Sequence, residues 1–262
     1  VRRVLFRSYL NHMKENNQVL AQDIERLTKT YLLPESYGNH VRRLHAELSE
    51  LEVRIMEVIK DQGEPSQAYS ILEEQLQELQ NTLKDIEDEQ ISVSEHLAQI
   101  EKDDLNARQK ANVYVNRLHT IKRYMEKRNL PGIPQSFLKL FFTTSNNIED
   151  LMAELEQTRV NIESVNRILE IATNDMEALE TETYNIVQYA TLTEQLLQYS
   201  NRYRSFDERI QEAFNEALEI FERDFDYQTS FEKISQALEV AEPGVTNRFV
   251  ASYEKTREAI RF

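Results

Sequence analysis

Apolar residues recur at alternating steps of four and three between Ser66 and Arg128, with no Pro or Gly among them. The series is Leu72, Leu76, Leu79, Leu83, Ile86, Val93, Leu97, Ile100, Ala107, Ala111, Tyr114, Leu118, Ile121 and Met125, and only Gln90 and Asp104 put strongly polar side chains into it. A stripe of this period is the seam of an α-helix that needs partner helices along its whole length. At ~1.5 Å per residue, the helix predicted from Pro65 to Arg128 measures about 95 Å. One compact core does not cover that length, so different helices are expected on its two halves.

Before this helix, the stripe Leu10, Met13, Leu20, Ile24, Leu27 and Tyr31 predicts a helix over Val4–Leu32, closed by Pro34. A second helix over Ser36–Lys60 carries Val41, Leu44, Leu48, Leu51, Ile55, Val58 and Ile59, and the Gly63–Pro65 punctuation ends it. Folded as an up-down-up unit, these bring Leu20, Ile24, Leu48, Ile55, Leu76 and Leu83 together. After the helix, NLPGIP (Asn129–Pro134) forces a reversal. A helix over Gln135–Gln157 follows, with Phe137, Phe141, Phe142, Ile148, Leu151 and Met152. Asn161 is the candidate N-cap of a helix of some 44 residues ending near Arg204.

The same three-helix unit is thus written twice, and sharing one helix between units predicts an all-α rod of spectrin-like repeats. The elements predicted over residues 205–262 are shorter and more aromatic. Ser205–Asp224, with Phe206 inward, and Tyr227–Ala241, with Val240, predict a helical hairpin; Val245–Ile260 folds back with Phe249, Tyr253 and Ile260 inward. The expected division is 1–96, 97–204 and 205–262, the last a cap.

Charge adds an asymmetry to this plan. The chain of 262 residues carries a net charge of −15, but residues 1–60 hold 10 basic and 8 acidic groups, 61–107 hold 2 and 13, 108–128 hold 7 and 1, and 129–262 hold 12 and 24. The basic island of Arg108, Lys110, Arg117, Lys122, Arg123, Lys127 and Arg128 can receive an acidic partner. Equally, it can be the solvated end of a helix whose dipole favours cations. The overall acidity argues against nucleic acid.

With no Cys, disulfides and thiolate chemistry are excluded. The five histidines lack the spacing that would place two on one helix face, and four glycines at turns build no phosphate loop. No catalytic, metal or cofactor site is expected, and no apolar run is long enough to span a membrane. Beginning at Val1 rather than Met, the chain is expected to be a fragment, with VRRVLFRS a junction.

One local cluster is rich in the side chains that bind surfaces without deep burial, QYSNRYR at Gln198–Arg204. If the helix overshoots its bundle by about 15 residues, helical spacing sets Gln198, Asn201 and Arg202 on one face, Arg204 close by, and Tyr199 and Tyr203 beside them. The other reading is that this cluster caps the helix and docks the hairpin, with its tyrosines as core.

QYSNRYR, together with NLPGIP, ALEVAEPGVTNRF, DIEDEQISVSEHL and ARQKANVYVNRLHTIKRYMEKRNLPGIP, resembles the C-terminal half of the EzrA family, the septation ring formation regulators of low-GC Gram-positive bacteria. The resemblance covers about residues 9–262 and leaves out the first eight. It implies a non-enzymatic division regulator on the cytoplasmic side of the cell membrane at the septum, held there by an N-terminal anchor outside this sequence. Implied partners are the tubulin-like FtsZ and other division or cell-wall synthesis proteins. The family's QNR patch falls on Gln198, Asn201 and Arg202, with Ser200 where Gly is common. The competing expectation is a structural coiled coil that self-associates without a specific partner.

Overall fold

The computed structural model describes the backbone of residues 2–60 and 68–257 and the side chains of 4–58 and 72–257. The fold is all-α: among the described residues the only β-type pairing is one isolated bridge between Tyr31 and Val160. The expected Gly63–Pro65 turn, Ile260 and the side chain of Ile59 lie outside the described residues. The chain forms two compact units, Val1–Arg108 with Ala153–Asn166, and Gln109–Met152 with Arg167–Phe262.

The first unit holds α1 (Arg2–Thr28), α2 (Glu35–Lys60) and α3 (Ala68–Lys127) as far as Arg108. Partners advance together along α1 and α3: the Tyr9 hydroxyl donates to Glu87, the Gln90 amide to the Met13 carbonyl at 2.9 Å, and the Tyr31 hydroxyl to Asp104 at 2.7 Å. These helices are parallel. Along α2 the order reverses, with Lys14 paired to Glu52 and the Asn17 amide donating to the Val41 carbonyl at 3.2 Å.

The core of this unit is Leu10, Met13, Leu44, Leu48, Leu51, Ile55, Leu79, Leu83 and Ile86. Here the expected register is corrected. Leu10 and Met13, not Leu20 and Ile24, face Leu48, Ile55 and Leu83; Leu20 is buried nearer the hairpin turn, and Ile24 and Leu76 are half-buried. An antiparallel hairpin turning after Thr28 places the middle of α2 against the first half of α1.

Also corrected is the end of the first helix, expected at Leu32. Past Thr28 the Tyr31 N–H still reaches back to the Leu27 carbonyl at 2.7 Å, but the chain then leaves the helix. Leu32 N–H donates to the Val160 carbonyl at 2.9 Å and Val160 N–H to the Thr30 carbonyl at 2.8 Å. That pairing brings the end of α4 (Gln135–Leu155) and the start of α5 (Ile162–Tyr199) into the first unit. Arg108 completes the junction, donating to Asp104 and to the Leu155 carbonyl, each at 3.0 Å. Burial and the Asp104 carboxylate push the Tyr31 phenol well up, so it stays a donor.

In the second unit α3 and α5 run parallel, with the Tyr114 and Thr173 hydroxyls 2.8 Å apart and Arg117 3.6 Å from Glu180. Antiparallel to α5, α4 sets Ser136 on Glu182 at 2.9 Å and Asn147 on Asp175. As expected, Asn161 caps α5 at its start in the first unit, accepting from the Ser164 N–H at 3.2 Å.

The far end of α5 is different from the expectation. The helix stops at Tyr199 in a 3₁₀ turn over Ser200–Arg202, and no free overhang exists. Leu196 and Leu197 share a core with Ile210, Ala217, Ile234, Leu238 and Val245 of α6 (Glu208–Glu219), α7 (Tyr227–Ala241) and α8 (Val245–Thr256). Burying each such aliphatic side chain stabilises by about 1.5–3 kcal/mol, which favours folding the hairpin back onto the helix end.

Two side chains expected inside face out. α6 begins only after Asp207, whose carboxylate accepts from the Arg209 and Ile210 N–H groups, so Phe206 precedes the helix and is 74% exposed. Val240 is 68% exposed on the outer side of α7. Among the aromatics of α4, Phe137 is buried but Phe142 is exposed.

The NLPGIP turn docks on the loop between α6 and α7. The Tyr227 hydroxyl donates to the Gly132 carbonyl at 2.5 Å, and the Phe225 ring lies where a Cβ on residue 132 would stand. Phe225 itself is left-handed, with φ of 56°, at the end of a π-helical turn over Ile220–Asp224.

Candidate functional site

The end of α5 supplies a patch with a polar outer face and a fixed aromatic underside. Gln198, Asn201 and Arg202 are exposed, Tyr199, Tyr203 and Arg204 are half-buried, and Ser200 is fully buried with its hydroxyl on the Leu197 carbonyl at 2.6 Å. A small residue is needed at position 200 because the 3₁₀ turn presses that side chain into the core.

Underneath, the rings of Phe249, Tyr199, Tyr203 and Phe206 follow one another at centroid distances of 5.2, 6.5 and 5.9 Å. Both tyrosine hydroxyls donate to one carboxylate oxygen of Glu242, at 2.5 Å from Tyr199 and 2.9 Å from Tyr203. The other oxygen accepts from Arg248 at 2.9 Å. Those two tyrosine hydrogen bonds, then Arg248, hold the Glu242 carboxyl below its usual range, while the same carboxylate raises the Tyr203 phenol. Glu239 is also held low, by the Gly244 and Thr246 N–H groups at the start of α8.

Over this floor lie two arginines. Arg202 stacks on the Tyr199 ring at 4.5 Å and Arg204 on the Phe214 ring at 3.5 Å. Arg204 also donates to Gln211 at 3.1 Å and to the Asn201 side-chain oxygen at 2.9 Å. The tyrosines therefore anchor the patch to the hairpin, and the amides and guanidiniums form its surface.

Glu242, Arg248 and Phe214 are essential to this arrangement, and sequence reasoning did not connect them to the patch. Glu242 stands more than forty positions after Tyr199. It lies in ALEVAEPGVTNRF, directly before the Pro243–Gly244 turn, and nothing in a periodicity reading connects it to Tyr199.

The basic island divides by use. Arg108 is spent on Asp104 and Leu155, Arg117 faces Glu180 and stacks on Tyr114, and Arg128 lies 4.3 Å over the Tyr124 ring. Lys110, Lys122, Arg123 and Lys127 are exposed, and no ion pair joins them to the described residues. Among the described residues no His, Asp or Glu group could hold a metal, and no helix is long and apolar enough to cross a membrane.

A family profile described as septation ring formation regulator, EzrA, matches residues 3–253. Similar relatives carry the name "Septation ring formation regulator EzrA" in Streptococcus pneumoniae strains Hungary19A-6, G54 (serotype 19F) and D39 (serotype 2). Each is 80% identical over 255 residues, covering 97% of this chain and 44% of the relative. The chain thus spans less than half the length of the curated relatives it matches. No solved structure matches it.

Proposed function

Because this chain belongs to the EzrA family of septation ring formation regulators, we propose that it is a non-enzymatic part of the division machinery and that the Gln198–Arg204 patch is where it meets a partner. The observation that carries this reading is the division of labour in the patch. Tyr199 and Tyr203 are pinned from below by Glu242, so Gln198, Asn201 and Arg202 are presented outward on a rigid support. Preorganised polar and guanidinium groups over aromatic rings are the composition of a protein-binding hot spot.

The partner is FtsZ or another division or cell-wall synthesis protein, met at the septum on the cytoplasmic face of the membrane. The test is capture of division proteins by this chain. Gln198→Ala, Asn201→Ala and Arg202→Ala together should abolish capture while leaving the helical circular dichroism and melting temperature unchanged; unchanged capture removes the patch from the mechanism. A second, weaker contact falls to Lys110, Lys122, Arg123 and Lys127, whose charges are not spent inside the fold. It should be lost on Lys122→Gln with Arg123→Gln, and weaken with rising salt.

A further inference from the structure

Arg202 and Arg204 each stack on an aromatic ring and each lack a carboxylate partner among the described residues. Residues 129–262 carry 24 acidic groups against 12 basic, yet neither guanidinium has a carboxylate within ion-pair distance among the described residues. The Tyr199 and Phe214 rings lie beneath them, at 4.5 and 3.5 Å from the guanidinium carbons, and a planar guanidinium carries its N–H donors as a fork. Arg204 uses its Nε on Gln211 and one terminal nitrogen on Asn201; the other terminal nitrogen is free. Since the Asn201 oxygen is taken by Arg204, what Asn201 offers outward is its amide N–H pair. With two guanidiniums and two side-chain amides, the outer face offers more donors than acceptors. Beside it, the exposed Phe206 extends the ring series from Tyr203.

We infer that this face takes an acidic peptide segment, with carboxylates on Arg202 and Arg204 and an apolar side chain against Phe206. The inference rests on reading the patch as a partner surface and adds the chemistry of the partner. Carboxylates are the acceptors that match a guanidinium fork. An inorganic anion makes no use of Phe206, and a long polyanion meets a molecule of net charge −15 around the patch.

The probe is a fluorescein-labelled peptide of Asp and Glu with one central Leu, followed by anisotropy on the whole chain. Binding is expected to fall about tenfold or more on Arg202→Gln, since charge-assisted hydrogen bonds are lost. Arg202→Lys keeps the charge and loses the fork, and should also weaken binding; Phe206→Ala should weaken it several-fold. Arg223→Gln, which removes an exposed arginine elsewhere on the unit, should change nothing. Arg204→Gln risks loosening Phe214, so Arg202 carries the test.

No binding, equal binding by Arg202→Gln, or full competition by inorganic phosphate at the peptide's carboxylate concentration overturns the inference. If the triple alanine variant loses division partners while the peptide never binds, the acidic-segment inference alone fails. If the peptide binds as described and capture of division proteins is unchanged, the chemistry of the patch stands and its assigned division role fails.

Discussion

Gln90 sits in the seam of α3 among leucines, only 4% exposed, and uses half of its amide. Its N–H pair donates to the Met13 carbonyl, but its side-chain oxygen has no partner, and the buried oxygen of Asn17, on the helix it bonds to, has none either. An unsatisfied buried acceptor costs about 1–3 kcal/mol. Gln90→Leu removes one at nearly constant volume and should raise stability by about 1 kcal/mol, or roughly 2–4 °C in melting temperature. A fall of similar size instead would show that the oxygen is satisfied in solution. A polar pair inside an apolar seam also fixes register, so the same variant should show broadened amide resonances or a less cooperative melt. Gln90 and Asp104 stand out in the sequence as polar interruptions of the stripe, whereas their partners Met13 and Tyr31 could not be read, because periodicity names a face and not its neighbour.

Elements meet most tightly where the NLPGIP turn docks on the α6–α7 loop. A Cβ on Gly132 would run into the Phe225 ring, so Gly132→Ala must displace an aromatic that is itself locked by left-handed backbone. Overpacking of this kind costs about 1–3 kcal/mol. By contrast, Gly38 lies inside α2, where a Cβ would meet only the tip of the Arg42 side chain at 3.5 Å. Gly38→Ala should therefore stabilise by about 0.5–1 kcal/mol through helix propensity. Chemical denaturation of the two variants should move the midpoint in opposite directions, and a matching shift in both would refute the docking account.

The elements themselves were largely legible. Tyr227–Ala241 and the Asn161 cap emerge from period and capping chemistry alone. What could not be read is where α5 stops. No Pro or Gly marks Tyr199; the 3₁₀ turn is imposed by the core of α6–α8 and by the buried Ser200, which are tertiary causes. The same limit exposed Phe206, whose apolar character fits the stripe although Asp207 starts the helix one residue later.

At the scale of the molecule, acid and charge pull in different directions. With a net charge of −15 and an isoelectric point near 4.9, self-repulsion is strong at pH 8 and falls as pH drops, so added salt should raise the melting temperature at pH 8 and matter less near pH 5. Glu180 reinforces this. Burial raises its carboxyl above 4.5, so its stabilising contribution is complete below that value and is lost as pH climbs through the raised one.

Glu239 and Glu242 act with the opposite sign. Both are held below 4.5 by hydrogen bonds, so their contribution is present above 4.5 and disappears as pH falls through the lowered values. Stability should therefore fall as pH drops below 4.5, and lose the Glu180 contribution as pH rises above it. The acid limb runs through the patch, because protonating Glu242 releases Tyr199, Tyr203 and Arg248 together. Glu242→Gln should lower the melting temperature at pH 7 and flatten its fall below pH 4.5, and tyrosine fluorescence should report the change, since the chain has no Trp. A variant whose acid limb is as steep as that of the parent would show that the carboxylate beneath the patch is not what holds the hairpin to the end of α5.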